Sequence, residues 1–264
     1  MSWQATILGC GSSGGVPRVA QGWGVCDPTN PKNRRRRCSL LVQRTQENQS
    51  TNLLIDTSPD LREQLLGEEI HHLDGIVLTH AHADHTHGID DVRPLVIEMH
   101  KRIDLAMDEV TSESIRPRFS YIFQSPPDSS YPPLLNERRI ETGKKWHFDG
   151  AGGAVEGMCF RLNHGDMDAL GVRIGGLAYT PDLNDIPPES LDYLHHLDVW
   201  IIDALRYTSH PSHLSVEEAL RWIAHFKPKR AILTNLNNDL DFETLRSELP
   251  PHVEPAFDGM QIRF

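Results

Sequence analysis

The amino-acid sequence predicts an α/β layered domain, and three observations lead to this prediction. Short apolar runs of the β type alternate along the chain with a smaller number of amphipathic helical stretches. The 264 residues are 38% hydrophobic and 24% charged, which is the balance of a globular protein with a sizeable core. No break in this pattern separates two self-sufficient sets of strands and helices. We therefore expect a single domain over residues 1–264.

The predicted strands are short segments rich in β-branched and aliphatic residues, bounded by glycine, proline or polar residues. They are Ala5–Leu8, Ser39–Gln43, Asn52–Ile55, Gly75–Thr79, Ile103–Met107, Val155–Leu162, Gly171–Tyr179, Val199–Asp203, Arg230–Thr234 and Gln261–Phe264.

The predicted helices are Pro59–Leu66, Glu189–His195, Val216–His225 and Phe242–Glu248. The third of these has the best-defined start, because Ser215 and Glu218 have the spacing of a capping box. The proline-rich segment Gln124–Pro133 is predicted to be an insertion or a lid.

Charge and hydropathy restrict the partners of the protein. The sequence has 26 lysines and arginines against 37 aspartates and glutamates, a formal net charge of −11. An acidic surface repels nucleic-acid backbones and anionic membranes, so we expect neither a large nucleic acid nor a membrane as a partner. The start Met1–Gly9 lacks the features of a signal peptide, and no apolar run is long enough to span a bilayer, which predicts a cytoplasmic protein. The oligomeric state is left open, a homodimer included.

Two other patterns receive a structural interpretation. Gly9, Gly11 and Gly14 have the spacing of a dinucleotide-binding loop, but no helical period follows them, so we exclude that site. The glycine-rich turn can still bring backbone close to a bound ligand. The basic run Arg34–Arg37 lies in a polar loop and is interpreted as solvated.

The segment Thr79–Gly88 carries the strongest functional signal and reads T-H-A-H-A-D-H-T-H-G. It follows an apolar strand, so His80 and His82, two residues apart in extended chain, point the same way and can bind one cation. After a turn, Asp84 and His85 supply a carboxylate and an imidazole to a second cation. Such ligands suit zinc, manganese or iron, and a cluster this poor in thiolate does not suit a purely structural zinc.

The H-x-H-x-D-H signature is that of the metallo-β-lactamase fold hydrolases, and the sequence resembles this superfamily over nearly its whole length. The resemblance implies a four-layer αβ/βα sandwich with a two-metal site at its edge. More narrowly, the sequence resembles the PhnP-type phosphodiesterases, which act on 5-phosphoribosyl 1,2-cyclic phosphate, and more loosely the PQQ-biosynthesis branch. The segments that carry this likeness are Gly9–Pro17, Ile55–Asp60 and Phe257–Met260.

The resemblance also implies a ligand set for two divalent ions, zinc or manganese, with iron as a further choice. Three histidines hold one metal, an aspartate and a histidine hold the other, and a second aspartate bridges them. In that order the residues are His80, His82 and His164; Asp84 and His85; and Asp182. Asp56 would lie outside this set and fix the tautomer of a ligand imidazole.

The sequence departs from the family pattern at the last metal ligand. Relatives place a histidine there, whereas in this chain Thr234 is followed by Asn235 and Asn237. An amide oxygen is a weaker ligand than imidazole, so both asparagines are candidate weak metal or substrate contacts. We expect the second metal to bind less tightly, or only with substrate present. Cys26 stands almost alone where the phosphodiesterases hold an extra structural zinc, so we expect no such zinc.

His213 is a predicted catalytic residue. It lies two residues before the helix cap Ser215, beside a helix start whose free amides favour anions. Phosphodiesterases of this fold have a histidine at a comparable position just before a helix. This resemblance implies that His213 protonates the leaving group or stabilises the phosphoryl oxygens. Asp84 is expected to orient the nucleophile. The predicted function is hydrolysis of a small, cyclic or nucleotide-like phosphodiester.

Two alternatives stand beside this prediction. A hydrolase of β-lactam, thioester or lactone substrates would use the same metals and need His213 less. A catalytically weak, metal-dependent protein that binds phosphate or nucleotides would follow from the presence of Asn235 and Asn237 in place of the expected ligand.

Overall fold

Two seven-stranded β-sheets face each other in the computed structural model, which describes residues 1–264. The strands of the first sheet are β1 (Ser2–Gly9), β2 (Ser39–Gln46), β3 (Gln49–Ile55), β4 (Gly75–Val77), β5 (Ile103–Met107), β6 (Leu135–Arg139) and β14 (Met260–Arg263). Those of the second are β7 (Lys145–Phe148), β8 (Val155–His164), β9 (Met167–Ile174), β10 (Leu177–Thr180), β11 (Val199–Asp203), β12 (Arg230–Thr234) and β13 (Val253–Pro255). The first sheet has the order β14-β1-β2-β3-β4-β5-β6 and the second the order β13-β12-β11-β10-β9-β8-β7.

Helices cover the outer faces of both sheets. The α-helices are α1 (Leu61–Gly67), α2 (Ala83–Thr86), α3 (Arg93–Met99), α4 (Glu109–Arg118), α5 (Ser120–Phe123), α6 (Val216–Phe226) and α7 (Phe242–Glu248). Short 3₁₀ turns span Pro31–Asn33, Ile89–Val92 and Pro188–Leu194. None of the helices combines the length and the apolar character that crossing a membrane requires.

Three apolar layers hold the sandwich together. Alternate residues of both sheets, such as Val42 and Ile201, form the central layer between the sheets. Leu105 packs with helix residues on the outside of the first sheet, and Trp200 packs with Ile223 of α6 on the outside of the second. The predicted four-layer αβ/βα sandwich is therefore confirmed.

Helix α6 begins as predicted. The Ser215 side chain accepts a hydrogen bond from the backbone N–H of Glu218, and the Glu218 side chain accepts from the backbone N–H of Ser215. This capping box fixes the start of α6 close behind His213, which lies two residues before the cap.

The strand order brings polar chain ends to one edge. Strands β3 to β6 pair in parallel, and so do β10 to β13. Because parallel strands end at the same edge of a sheet, their carboxyl ends form the usual position for a ligand site. Asp56 follows β3, His80 follows β4, Asp182 follows β10 and Asn235 follows β12.

Several predicted elements differ from the observed ones. The predicted strand Gly171–Tyr179 is wrong, because β9 and β10 are separate antiparallel strands joined at Gly175, which has φ +55°. The predicted helix Glu189–His195 is the 3₁₀ turn Pro188–Leu194. The sequence pattern also missed some elements, including α4, which contains Pro117 and few apolar residues.

The interpretation of Arg34–Arg37 as a solvated run is wrong for three of its four residues. Arg35 is 2% exposed and donates to the carbonyl oxygens of Asn237 at 3.0 Å and Leu240 at 2.6 Å. Arg36 and Arg37 form ion pairs with aspartates, while Arg34 is exposed. The buried guanidinium cross-links the loop after β1 to the segment after β12.

We predict that Arg35→Met destabilises the protein by about 3 kcal/mol, because the carbonyl oxygens of Asn237 and Leu240 lose a charged donor and keep only the weaker contacts from the Leu240 N–H and the Cys26 thiol. Urea unfolding followed by circular dichroism measures this loss. The matched control is Arg34→Met, which removes an exposed arginine of the same loop and should change stability by less than about 0.5 kcal/mol. Equal losses for the two variants would contradict the cross-linking role.

Candidate metal centre

Three imidazoles converge at the edge of the sandwich. Nε2 of His80 lies 3.0 Å from Nδ1 of His82, and Nε2 of His164 lies 3.2 Å from the same atom. His80 and His164 are buried, and His82 is exposed. Burial lowers the pKa of His80 well below its ordinary value, and the neighbouring imidazoles add to that effect. Imidazole nitrogens this close together can serve as ligands of one divalent cation.

A second group of ligand atoms lies next to the first. Asp84 and His85 come from the short helix α2, and Nε2 of His85 lies 3.5 Å from Oδ2 of Asp84. His85 is fully buried, yet its Nε2 has no hydrogen-bond partner. An orphaned nitrogen between carboxylates fits a metal ligand, since buried polar atoms are otherwise satisfied.

Asp182 faces both groups. Its Oδ2 lies 3.8 Å from Nε2 of His80 and 3.6 Å from Nε2 of His164. Its Oδ1 lies 3.2 Å from Nε2 of His85. Burial favours a raised pKa for this carboxyl, but the imidazoles, His85 above all, outweigh it and hold the pKa well below its usual range. One ionised carboxylate thus presents one oxygen to each group.

The ligand atoms of His80, His82, His164 and Asp182 lie within 4.8 Å of one another, and so do those of Asp84, His85 and Asp182. The structure brings together all six residues of the predicted ligand set.

A buried hydrogen-bond chain fixes the imidazole tautomers. Asp56 accepts from Nδ1 of His85 at 2.7 Å and from the Thr79 hydroxyl at 2.8 Å. The Thr79 oxygen lies 3.0 Å from Nδ1 of His80. With both Nδ1 atoms engaged, both Nε2 atoms face the centre. Asp56 therefore lies where the sequence places it, and Thr79, which the sequence analysis missed, connects it to His80.

His164 is oriented in a similar way by the loop before α6. Its Nδ1 lies 2.7 Å from the carbonyl oxygen of Ser212 and donates to it. Ser212 has no sequence signal of this kind, because it acts through its backbone. The neighbouring His213 is thereby placed beside the cluster, with its ring 4.8 Å from the ring of His164.

His213 is held by the carboxylate of Asp203, a residue to which the sequence pattern gave no role. Its Nδ1 lies 2.9 Å from Oδ2 of Asp203, which also accepts from the backbone N–H of Leu183. Burial lowers the pKa of His213. The negative charges of Asp203, which contributes most, and of Asp182 and Asp84 outweigh burial and raise the pKa to about 9. Burial raises the pKa of Asp203 to about 6, so the pair is an imidazolium and a carboxylate at neutral pH.

The two asparagines of the last strand end differ in position. Asn235 is 2% exposed, and its Nδ2 lies 3.3 Å from Oδ1 of Asp182 and 3.1 Å from Nδ1 of His213. Asn237 points elsewhere, because its Oδ1 accepts from Arg18 at 3.0 Å and from the backbone N–H of Asn238 at 2.8 Å. Only Asn235 lies at the second group of ligands.

We predict that Asn235→His strengthens binding of a second metal ion by about tenfold, a typical scale for changes beside a metal site. Imidazole is the better ligand, and histidine tolerates the positive φ of +62° at this position. Zinc titration against a competing chelator, with elemental analysis, measures the change. Asn237→His is the matched control and should leave the affinity unaltered. Equal affinities for Asn235→His and the parent protein would refute the assignment.

Comparisons with known proteins agree with the observed fold. Residues 51–234 match the family described as "Beta-lactamase superfamily domain". A solved structure described as a new diphosphatase from the PhnP family is 33% identical, covers 99% of this chain and 98% of its own, and has a TM-score of 0.88. Zn(2+)-bound PqqB from Methylobacterium extorquens shares the fold, with 17% identity, coverage of 98% and 99%, and a TM-score of 0.76.

A curated relative, an octanoyltransferase of Porphyromonas gingivalis (strain ATCC BAA-308 / W83), is 34% identical over 259 residues, which is 97% of this chain and 50% of that protein. The chain thus spans about half the length of the curated relative that it matches. The fold and the cluster of histidines and aspartates indicate a hydrolase that binds divalent metal. Family match, sequence identity and superposition together place this chain in the beta-lactamase superfamily and, within it, in the PhnP family.

Proposed function

We propose that the protein is a metal-dependent phosphodiesterase that hydrolyses a small, cyclic or nucleotide-like phosphodiester. The observation that carries this proposal is the position of His213. Its imidazolium is held by Asp203 at 2.9 Å, and its ring lies 4.8 Å from that of the predicted ligand His164. A proton donor fixed beside a metal cluster suits the departure of an alkoxide from phosphorus.

The proposed cofactors are two divalent cations, zinc or manganese, with iron as a third choice. One cation would be held by His80, His82 and His164, and the other by Asp84 and His85. Asp182 would bind both cations. When bound, such ions supply Lewis acidity and a nucleophile derived from water at neutral pH. The first group offers four protein ligand atoms and the second offers three, so we propose that the second ion binds less tightly.

The side chains around the cluster have distinct proposed roles. Asp84 is half-buried and accepts a hydrogen bond from the attacking water, which orients it. His213 donates its Nε2 proton to the leaving oxygen, because its Nδ1 is engaged by Asp203. General acid catalysis of this kind contributes about 10²- to 10⁴-fold.

The proposed partner is a small phosphodiester in the cytoplasm. The net charge of −11 disfavours long nucleic acids, whose backbones an acidic surface repels.

Acyl transfer through a cysteine nucleophile has less support from the site. The octanoyltransferase name belongs to a protein about twice as long as this chain. All four cysteines are buried, and burial raises the pKa of each thiol, to about 12 for Cys159. Buried thiols of this kind are poor nucleophiles. Hydrolysis of a thioester, lactone or β-lactam is the second candidate, since it uses the same metals.

We predict that His213→Ala lowers kcat on a 2′,3′-cyclic nucleotide, whose leaving group is an alkoxide, by about 10²- to 10⁴-fold and leaves the metal content unchanged, because His213 donates a proton and binds no metal. Steady-state kinetics and elemental analysis of the same samples measure both quantities. His210→Ala is the matched control, since His210 lies near His213, with ring centroids 5.1 Å apart, and does not contact Asp203. Loss of metal together with activity would show that His213 is a ligand instead.

Removal of divalent ions by a chelator should abolish phosphodiester hydrolysis, and adding back zinc, manganese or iron should restore it. A chromogenic β-lactam assayed under the same conditions separates the two candidate functions. We expect turnover of the phosphodiester alone. Turnover of the β-lactam alone would replace the proposed function with the second candidate.

A further inference from the structure

His82 differs from the other three histidines of the predicted ligand set, because no protein group orients its ring from outside. Each of the other three has its Nδ1 atom engaged by a protein oxygen. His82 directs Nδ1 towards His80 and His164, and its Nε2 makes no hydrogen bond within the protein. Its side chain is also exposed, whereas the other three are buried. An outer hydrogen bond normally orients a ligand imidazole, so the position of His82 depends on its backbone instead.

The backbone of His82 is anchored on both sides. The carbonyl oxygen of His82 accepts from the Thr86 hydroxyl at 2.8 Å and from the backbone N–H of His85 at 3.2 Å. On the other side, the carbonyl oxygen of Ala81 accepts from Nη1 of Arg118 at 2.8 Å. No backbone N–H donates to that oxygen, although Ala81 is only 7% exposed. Arg118 is therefore the one donor that holds the peptide group joining Ala81 to His82.

Arg118 reaches this peptide group from a separate element of the fold. It is the last residue of α4 and follows Ala81 by 37 residues in the chain. Helix α4 is fixed at its start, where the Asp108 side chain accepts from the backbone N–H of Thr111 at 2.8 Å. Ile115 of the same helix is buried in the apolar layer outside the first sheet. A well-anchored helix thus carries the guanidinium to the metal-binding segment.

The charge of Arg118 has two effects of opposite sign on metal binding. Arg118 is exposed and forms no ion pair, so its positive charge is not neutralised within the protein. By Coulomb repulsion alone, this charge weakens the binding of a nearby cation. A charged donor also makes a stronger hydrogen bond than a neutral one, and the planar guanidinium gives that bond a fixed direction. If the hydrogen bond positions a ligand, it strengthens metal binding.

We infer that Arg118 is a positioning residue for His82, which fixes the backbone of this exposed ligand and thereby sets the affinity of the first metal ion. Arg118 acts through the Ala81 carbonyl and does not itself bind metal. This inference rests on the proposed metal-dependent function, and it is independent of which ester the protein hydrolyses.

Zinc titration of the metal-free protein against a competing chelator tests this assignment. Arg118→Met should weaken binding of the first zinc ion by about tenfold, the scale seen when groups that orient metal ligands are removed. Arg118→Lys keeps a charged donor, and its affinity should lie between those of Arg118→Met and the parent protein. Unchanged or tighter zinc binding in Arg118→Met would overturn the inference, since loss of a positive charge alone tightens binding.

The matched control is Arg116→Met. Arg116 is an exposed arginine of the same helix that pairs with Glu137 and does not contact the metal-binding segment. Its replacement removes the same charge from α4 and should not weaken zinc binding. Circular dichroism of the metal-free samples verifies that each variant is folded. An equal loss of zinc affinity in Arg116→Met and Arg118→Met would overturn the positioning role, because it would reflect damage to α4 in general.

A double-mutant cycle shows whether Arg118 acts through His82. His82→Ala removes the ligand, so adding Arg118→Met to it should cause no further loss of zinc affinity. A further tenfold loss in that background would overturn the inference, because Arg118 would then act on another part of the site. If zinc binding follows the predicted pattern but no phosphodiester is cleaved, the proposed phosphodiesterase function is wrong and the role of Arg118 stands. A parent protein that binds no zinc would overturn both.

Discussion

One buried carboxylate, that of Asp182, determines the arrangement of the candidate site. It is 2% exposed, and its two oxygens face different imidazole groups, Oδ2 towards His164 and Oδ1 towards His85. A buried carboxylate is costly unless positive charge or hydrogen-bond donors surround it. Here the imidazoles hold its pKa well below the usual range despite burial. The Nε2 atoms of His80, His85 and His164 are directed towards this carboxylate by hydrogen bonds at their Nδ1 atoms, so the centre is ready to bind cations before any arrives.

The fold supplies this geometry from both sheets at once. In each sheet an antiparallel set of strands passes into a parallel set, at β3 in the first and at β10 in the second. The parallel strands end at one edge, where the first sheet contributes His80 and the second contributes Asp182. Neither sheet holds a complete ligand group alone. Packing of the central apolar layer is therefore a condition for the assembly of the site, and the buried Arg35 adds a link between the loops that border it.

The sequence predicts the local part of this site and misses the long-range part. The H-x-H-x-D-H segment is readable because its ligands are neighbours in the chain, and family resemblance adds His164 and Asp182. The pairing of His213 with Asp203 joins residues 10 apart, and a strand-end aspartate has no pattern that names its partner. The carbonyl of Ser212 has no side-chain signal at all. The basic run was misread at Arg35, because its partners are backbone carbonyls some 200 residues away in the chain.

The most direct test of the account is anomalous diffraction from crystals of the protein grown with zinc or manganese. The shared carboxylate predicts two anomalous peaks, one on each side of Asp182, with the peak beside Asp84 and His85 at lower occupancy. A single peak, or peaks that do not contact Asp182, would contradict the claim that one buried carboxylate organises a two-cation site.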